Sequence, residues 1–448
     1  MLKHASPIAP FRNDPWHDLN PGKAFFQEAR RLWHTDEARD SLITVQASLE
    51  LVYYHYSNGQ DKIGDRYLYD SIRMARNLGL FRKQGPPPRL DKGDRLGREK
   101  SVTAWCLFDF VSLTRMSMQL EPLLRFPPSW PFPYDEDAEL REKFHVKKWE
   151  LARIENKMCV HSAPLSCFLL KINPDFNHRC FMLYGFVAPE GRISASPTQT
   201  EGLYQSLLAW RSTSFEEIAN SAIAEPHTLL LMCRYHHIIL ALFRPFVTAN
   251  NLPLDVRFYK DRALQISRAS TQGLRKLVES HMLMEDRNIL SYRYCPMVAC
   301  SILDEFRTLQ QRAIQAKNDQ DDPMGADYQH LADLTQKSNS YHIFVQCLRH
   351  MLSVGSSLYM SQIALRAVQS AAEQAQVALP MECWEIFGQL NDPTWTAQAI
   401  RHVVSSFAPG KTAQDADGAR IDELLQSWDK LTMTAAPADN SMMMRDGL

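Results

Sequence analysis

Hydrophobic positions along this chain recur at helical rather than strand spacing. Leu42, Val45, Leu49, Val52 and Tyr56 fall at i, +3, +7, +10 and +14, one stripe of an amphipathic helix. Ile63, Tyr67, Met74 and Leu78 repeat the pattern on a following helix. Asp40 or Ser41 is placed to cap the first of these, Asn58-Gly59 to end it, and Gly79 to stop the second. Upstream, Asn20-Pro21 starts a shorter helix, with Asn20 as N-cap and Pro21 at the first helical position of "AFFQEARRLWH".

The pattern then breaks. "KQGPPPRLDKGDRLG" (83–97) carries three successive prolines and reads as an exposed loop. Helix returns from about Glu99 to Met118. "LRFPPSWPFPYDEDAE" is a Pro-rich turn region whose Trp130 and Phe132 either face solvent or tuck against the bundle. Residues 138–172 read as helix and 173–200 as the least helical stretch. From Gly202 helix resumes, "LYQSLLAW" being short. Pro226 opens a helix that is apolar nearly all round from Leu229 to Phe243, the mark of a central buried element, and Pro245 is expected to end it. Further helices are expected near 255–284, 296–316, 341–354 and 357–378, with 317–327 a solvated loop. No strand alternation or internal repeat is visible. The fold class is all-α: a large irregular helical bundle with long loops. Residues 1–18 form an irregular lead-in, 19–408 the body, and 409–448 a flexible acidic and Met-rich tail.

Composition narrows the function classes. The chain has 448 residues, 45 % hydrophobic and 23 % charged, enough for a large core. Its formal net charge is −1, against the basic excess of a freestanding nucleic-acid binder. Its nine cysteines are scattered and odd in number, which suits reduced thiols better than a disulfide framework. No uninterrupted apolar run suggests a membrane span: Leu229–Val247 is broken by Arg234, His236, His237, Arg244 and Pro245. The N-terminus has no apolar signal core, and the chain reads as intracellular.

Candidate chemistry is sparse. The closest cysteine spacings, Cys159 with Cys167 and Cys295 with Cys300, lack the tight pair a tetrahedral zinc site draws on. His236 and His237 are consecutive and point about 100° apart on a helix. There is no Gly-x-Ser-x-Gly elbow, no Cys-His signature, and the Gly-Lys pair at 22–23 lacks a phosphate-cradling glycine loop. Asp135, Glu136 and Asp137 read as a solvated loop. Arg115, Arg125 and Arg244 stand beside apolar helices or Pro turns, where a guanidinium satisfies carbonyls or, in a minority role, holds an anionic effector. In "DADGARIDELLQSWDKL" an apolar stripe of Ile421, Leu424, Leu425, Trp428 and Leu431 runs among acidic residues. It suits helix-in-groove docking on a coactivator or, more blandly, a last helix packed on the body.

The ordered segments together resemble the fungal-specific transcription factor domain, the middle homology region of zinc-cluster regulators. "AFFQEARRLW" looks like that family's opening helix, and "SLITVQASLELVYYHYSNG" is similar to its next one. "RYLYDSIRMARNLGLFR" is similar to its most specific segment. "EKSVTAWCLFDFVSLTRMSMQLEPLLRFPP", "LLAWRSTSF" and "CRYHHIILALFRPFV" follow in the family's order, so the match runs over about 24–247. Departures are the Gln119-Leu120-Glu121-Pro122 turn in place of Gly-Arg-Pro, and the lack of the N-terminal six-cysteine cluster with its linker.

The resemblance implies an enzymatically inert regulator of RNA polymerase II transcription, nuclear, with no cofactor in this chain and zinc only in the family's N-terminal cluster. Implied partners are coactivators or the transcription machinery, a homo- or heterodimer with related regulators, and a small-molecule effector, with DNA reached only through the zinc cluster. The alternatives are a DNA-binding-deficient dimerisation partner or dominant-negative fragment, and an all-α enzyme of terpenoid type, for which Asp304-Glu305 is too sparse a metal motif.

Overall fold

The computed structural model describes residues 21–35, 39–58, 60–81, 88–91, 93–117, 122–134, 140–169, 196–219, 226–248, 257–282, 293–318, 328–355 and 359–389. Thirteen helices and no strand occur among them, so the all-α expectation holds. They are α1 (Pro21–Thr35), α2 (Leu42–Ser57), α3 (Asp61–Asn77), α4 (Arg95–Ser117), α5 (Leu140–Leu169), α6 (Pro197–Ala219) and α7 (Pro226–Thr248). There follow α8 (Tyr259–Met282), α9 (Cys295–Asn318), α10 (Tyr328–Gln336), α11 (Tyr341–Gly355), α12 (Tyr359–Gln374) and α13 (Met381–Gly388). The tail stripe Ile421, Leu424, Leu425, Trp428 and Leu431, the Gln119-Leu120-Glu121 turn and Asp135–Asp137 lie outside the described residues.

The expected punctuation operates at α2 and α3. Ser41 caps α2, its hydroxyl accepting from the Thr44 amide at 3.1 Å, and Asn58 closes it. Gly79 sits at φ 71° just past α3; its N–H bonds the Arg76 carbonyl while Leu80 N–H reaches back to Ala75. That is a Schellman stop, which favours glycine because a Cβ clashes at positive φ. The α2 stripe is only partly the buried face: Val45 and Val52 are buried, but so are Ser48, Leu51 and His55. The Ser48 and Ser71 hydroxyls hydrogen-bond across the α2–α3 contact.

Four expectations are corrected. Helix α4 begins at Arg95, not Glu99, because Asp94 accepts the Gly97 amide at 2.8 Å and caps it inside the expected loop. Helix α6 is not short: it runs 23 residues from a reciprocal capping box. Gln199 N–H donates to Ser196 Oγ at 3.2 Å and Ser196 N–H to Gln199 Oε1 at 3.1 Å. Pro245 does not end α7, which continues to Thr248; the lost amide is outweighed by burial of Phe246, edge-on to Tyr259 at 4.9 Å. Finally, α7 passes for a membrane span by length and apolarity over Thr228–Val247, with mean hydropathy 1.2, yet 72 % of that stretch is buried within the protein. Its apolar surface faces neighbouring helices.

The Pro-rich segment 122–134 is a strap. Trp105 Nε1 donates to the Trp130 carbonyl at 3.0 Å, Ser101 to Pro131 at 2.6 Å, Asn156 to Leu124 at 2.6 Å and Arg76 to Leu123 at 3.0 Å. Phe132 packs on Trp105 with ring centres 4.5 Å apart, so Trp130 and Phe132 are both tucked in, while Phe126 of the same strap is exposed. Three apolar clusters result. One joins α2 to α5 beneath the strap, one gathers α4 to α8, and one gathers α7, α8, α9, α11, α12 and α13. Helix α7 supplies two of them, Leu230 and Cys233 to one and Leu231, Tyr235 and Phe243 to the other, which is why it is apolar nearly all round.

Candidate functional site

A helix buried on all sides can carry a cation only where carboxylates meet it. Arg234, in the middle of α7, is buried and receives two. Its Nε donates to Glu155 Oε1 at 2.7 Å and its Nη2 to Glu155 Oε2 at 2.5 Å, a bidentate pair with α5. Its Nη1 donates to Asp109 Oδ1 of α4 at 2.6 Å, and Lys148 of α5 reaches Asp109 Oδ2 at 2.8 Å. Two cations and two carboxylates make the cluster formally neutral.

The two carboxyls respond differently. Burial pushes the Asp109 carboxyl up, but Arg234 and Lys148 together outweigh it and hold it below the usual range. Glu155 is fully buried, and burial outweighs Arg234 and the weaker Arg293, with Asp109 acting against them, so its carboxyl is raised. Arg234 itself is raised despite burial, through Asp109 and Glu155.

The same helix also lines a cavity of about 460 Å³ between α7, α8, α9 and α12. Its apolar wall includes Leu274, Met297, Val298 and Leu303, all buried. Its polar lining includes Arg244, Ser267 and Thr271, with Asp304 and Arg307 paired at 3.0 Å. Burial pulls the Arg244 guanidinium down to about 9. The cavity stands beside the tightest helix pairing, where a Cβ at Gly273 of α8 would come within 2.5 Å of the His236 ring on α7.

Of the three arginines singled out in the sequence, Arg115 and Arg244 are buried and Arg125 is exposed; only Arg244 lines the cavity. In the sequence Arg234 stands out only as a break in an apolar run. Its signal was nevertheless present: one arginine inside an apolar helix, and the acids Asp109 and Glu155 standing in the apolar runs "CLFDFV" and "IENKMCV".

Metal and nucleophile chemistry gain no support among the described residues. No group of three or more His, Cys, Asp or Glu could hold a metal ion there. Asp304 and Glu305 are each paired with arginine, Asp304 with Arg307 and Glu305 with Arg275, both at 3.0 Å. Cys106, Cys159, Cys233, Cys295, Cys300, Cys347 and Cys383 are free thiols, and burial pushes Cys106 up to about 11 and Cys159 up to about 12. His236 and His237 are held neutral by burial, at about 4 and about 3.

Comparison with known proteins gives one informative likeness. No family model matches the chain. No solved structure matches it. The nitrogen assimilation transcription factor nirA of Emericella nidulans is 22 % identical to it over 428 residues. That match covers 90 % of this chain but 43 % of the relative, so the chain spans less than half the relative's length.

Proposed function

We propose that this chain is the regulatory part of a transcription regulator, of the kind the fungal middle homology region supplies, acting in the nucleus through protein contacts. The observation that carries the reading is the likeness to a transcription factor along 90 % of the chain. The ordered segments between 24 and 247 support it, as does the helical body in which those segments form core elements: "RYLYDSIRMARNLGLFR" is most of α3 with its Schellman stop. The body, about 19–408, is a scaffold, and the apolar stripe among the acidic residues of 409–448 is the output surface toward a coactivator. An effector or partner that binds one packing of the helices better than another shifts the population and frees that stripe.

The test is a fusion of the full chain to an unrelated DNA-binding domain, assayed on a reporter with and without residues 412–448. Reporter output that depends on the tail, and falls when Leu425 and Trp428 are changed to Ala, is expected. A nuclear fusion with the output of the DNA-binding domain alone rejects the reading.

A further inference from the structure

We propose that the cavity between α7, α8, α9 and α12 binds a neutral alcohol with an apolar body. At about 460 Å³ the cavity falls in the range of small-molecule sites, roughly 300–1,000 Å³, which pair an apolar lining with a few placed polar groups. Leu274, Met297 and Leu303 are no more than 4 % exposed and form an apolar wall. Leu240 and Val247 of α7 and Ala371 of α12 extend it. Much of what a ligand would touch here is hydrocarbon, so the body of the ligand must be hydrocarbon too.

The charged groups of the lining are already engaged. Asp304 pairs with Arg307 at 3.0 Å, and Arg244 interacts within the protein. A charged ligand would enter a low-dielectric space with no counter-charge set aside for it, unless one of these contacts broke. A neutral ligand requires no such exchange. The hydroxyls then decide which neutral group fits. Ser301 of α9 donates its hydrogen to the Val298 carbonyl at 2.7 Å, which leaves its oxygen to accept. Ser267 of α8 lines the same cavity, and its hydroxyl is buried without a hydrogen-bond partner among the described residues. A ligand hydroxyl can donate to either oxygen and can accept from Ser267. An ether or a ketone only accepts, so it gives Ser301 nothing, and a hydrocarbon serves neither.

Four helices meet at this site, so occupancy couples directly to how α12 and α9 sit on the α7–α8 pair. The inference stands on the cavity alone and does not require the transcriptional reading.

The test is isothermal titration calorimetry of the full purified chain with 1-octanol, with its methyl ether, and with octanoate at neutral pH, where it is ionised. One octanol site is expected. The ether should bind more weakly by about two- to tenfold, the worth of one neutral hydrogen bond, and octanoate by about tenfold or more. Changing Ser267 and Ser301 together to Ala should remove the difference between alcohol and ether, in a variant whose helices lose no backbone bond. Ala371→Phe, which places a ring in the cavity from α12, should abolish octanol binding while circular dichroism stays helical. Should that variant fail to fold, Ala375→Leu fills the same cavity with a smaller side chain and decides in its place. Absence of a saturable octanol site, octanoate or ether binding as tight as octanol, or octanol binding that survives the filled cavity overturns the proposal. Because binding is read on purified protein, a silent reporter fusion does not bear on it.

Discussion

Arg234 makes the interior of this protein asymmetric in its tolerance of change. Removing one carboxylate leaves a cation in an apolar core, whereas removing the whole cluster leaves only volume to fill. Glu155→Ala is expected to lower stability by about 3–5 kcal/mol, read from the urea midpoint. Combining Glu155→Leu, Asp109→Leu and Arg234→Met should recover most of that loss, since the Lys148 side chain is 34 % exposed and can turn to water. If Glu155→Ala is as mild as an ordinary surface change, the cluster does not hold the core. Two neighbours on the same helix set the acid limit. His236 and His237 are lowered to about 4 and about 3, chiefly by burial, with Arg211 acting on the first and Arg293, Arg234 and Arg244 on the second. Their folded values lie below the unfolded value near 6.5, so between about pH 4 and 6.5 the unfolded chain binds the extra protons. Stability is therefore present in full above pH 6.5 and falls as pH drops, by about 1.4 kcal/mol per unit for each ring. Glu155, raised, acts in the opposite sense above its unfolded value. Urea titrations at several pH values should show the fall, and His237→Leu should flatten it by one proton.

At the scale of elements, two helices end in the same motif with different residues at the critical position. α3 uses Gly79 at φ 71°, and α12 uses Gln376 at φ 50°, with Val377 N–H reaching Ala372 and Gln376 N–H reaching Glu373. Gln376→Gly should raise stability by about 0.5–1 kcal/mol and Gly79→Ala should lower it by about 1 kcal/mol, a contrast thermal melts can read. A destabilised Gln376→Gly would mean that the glutamine side chain holds the turn. Gly79, Ser41, Asn58 and Pro21 were legible in the sequence because each acts through its own backbone or the next few residues. So were the long helices, whose stripes repeat often enough to be seen. Pro245 misled because burial of Phe246 against Tyr259, a partner outside the helix, decides whether α7 continues. Asp94 and the Ser196–Gln199 box act locally, but Gly97 and the weak apolar periodicity around 196–200 mask the helix starts that they cap. Helices α10 and α13 are too short for periodicity to declare; long-range bonds such as Tyr328 Oη to the Leu379 carbonyl, at 3.1 Å, and Gln310 Nε2 to the Ala378 carbonyl, at 2.8 Å, anchor that region. The cavity was legible in one residue, Arg244, because its walls come from four separate segments.

Across the molecule, α7 is the shared wall between two apolar clusters, and what it carries is felt on both sides. Arg234 faces α4 and α5; Arg244, further along the same helix, faces the cavity with α8, α9 and α12. This placement decides how the gene can be dissected. The counter-charges of Arg234 lie 79 and 125 positions upstream in the chain. A fragment of residues 196–389 keeps the cavity walls but carries a guanidinium with neither of its acids, and on expression it should be insoluble or fail to give a cooperative melt. Supplying residues 21–169 as a separate polypeptide brings back Asp109 and Glu155 and should rescue it into a soluble two-chain complex. The same rescue attempted with Glu155→Ala in the first piece should fail. A 196–389 piece that folds alone with a sharp transition would show that the halves are independent. Otherwise a split between residues 169 and 196 cuts through an electrostatic unit.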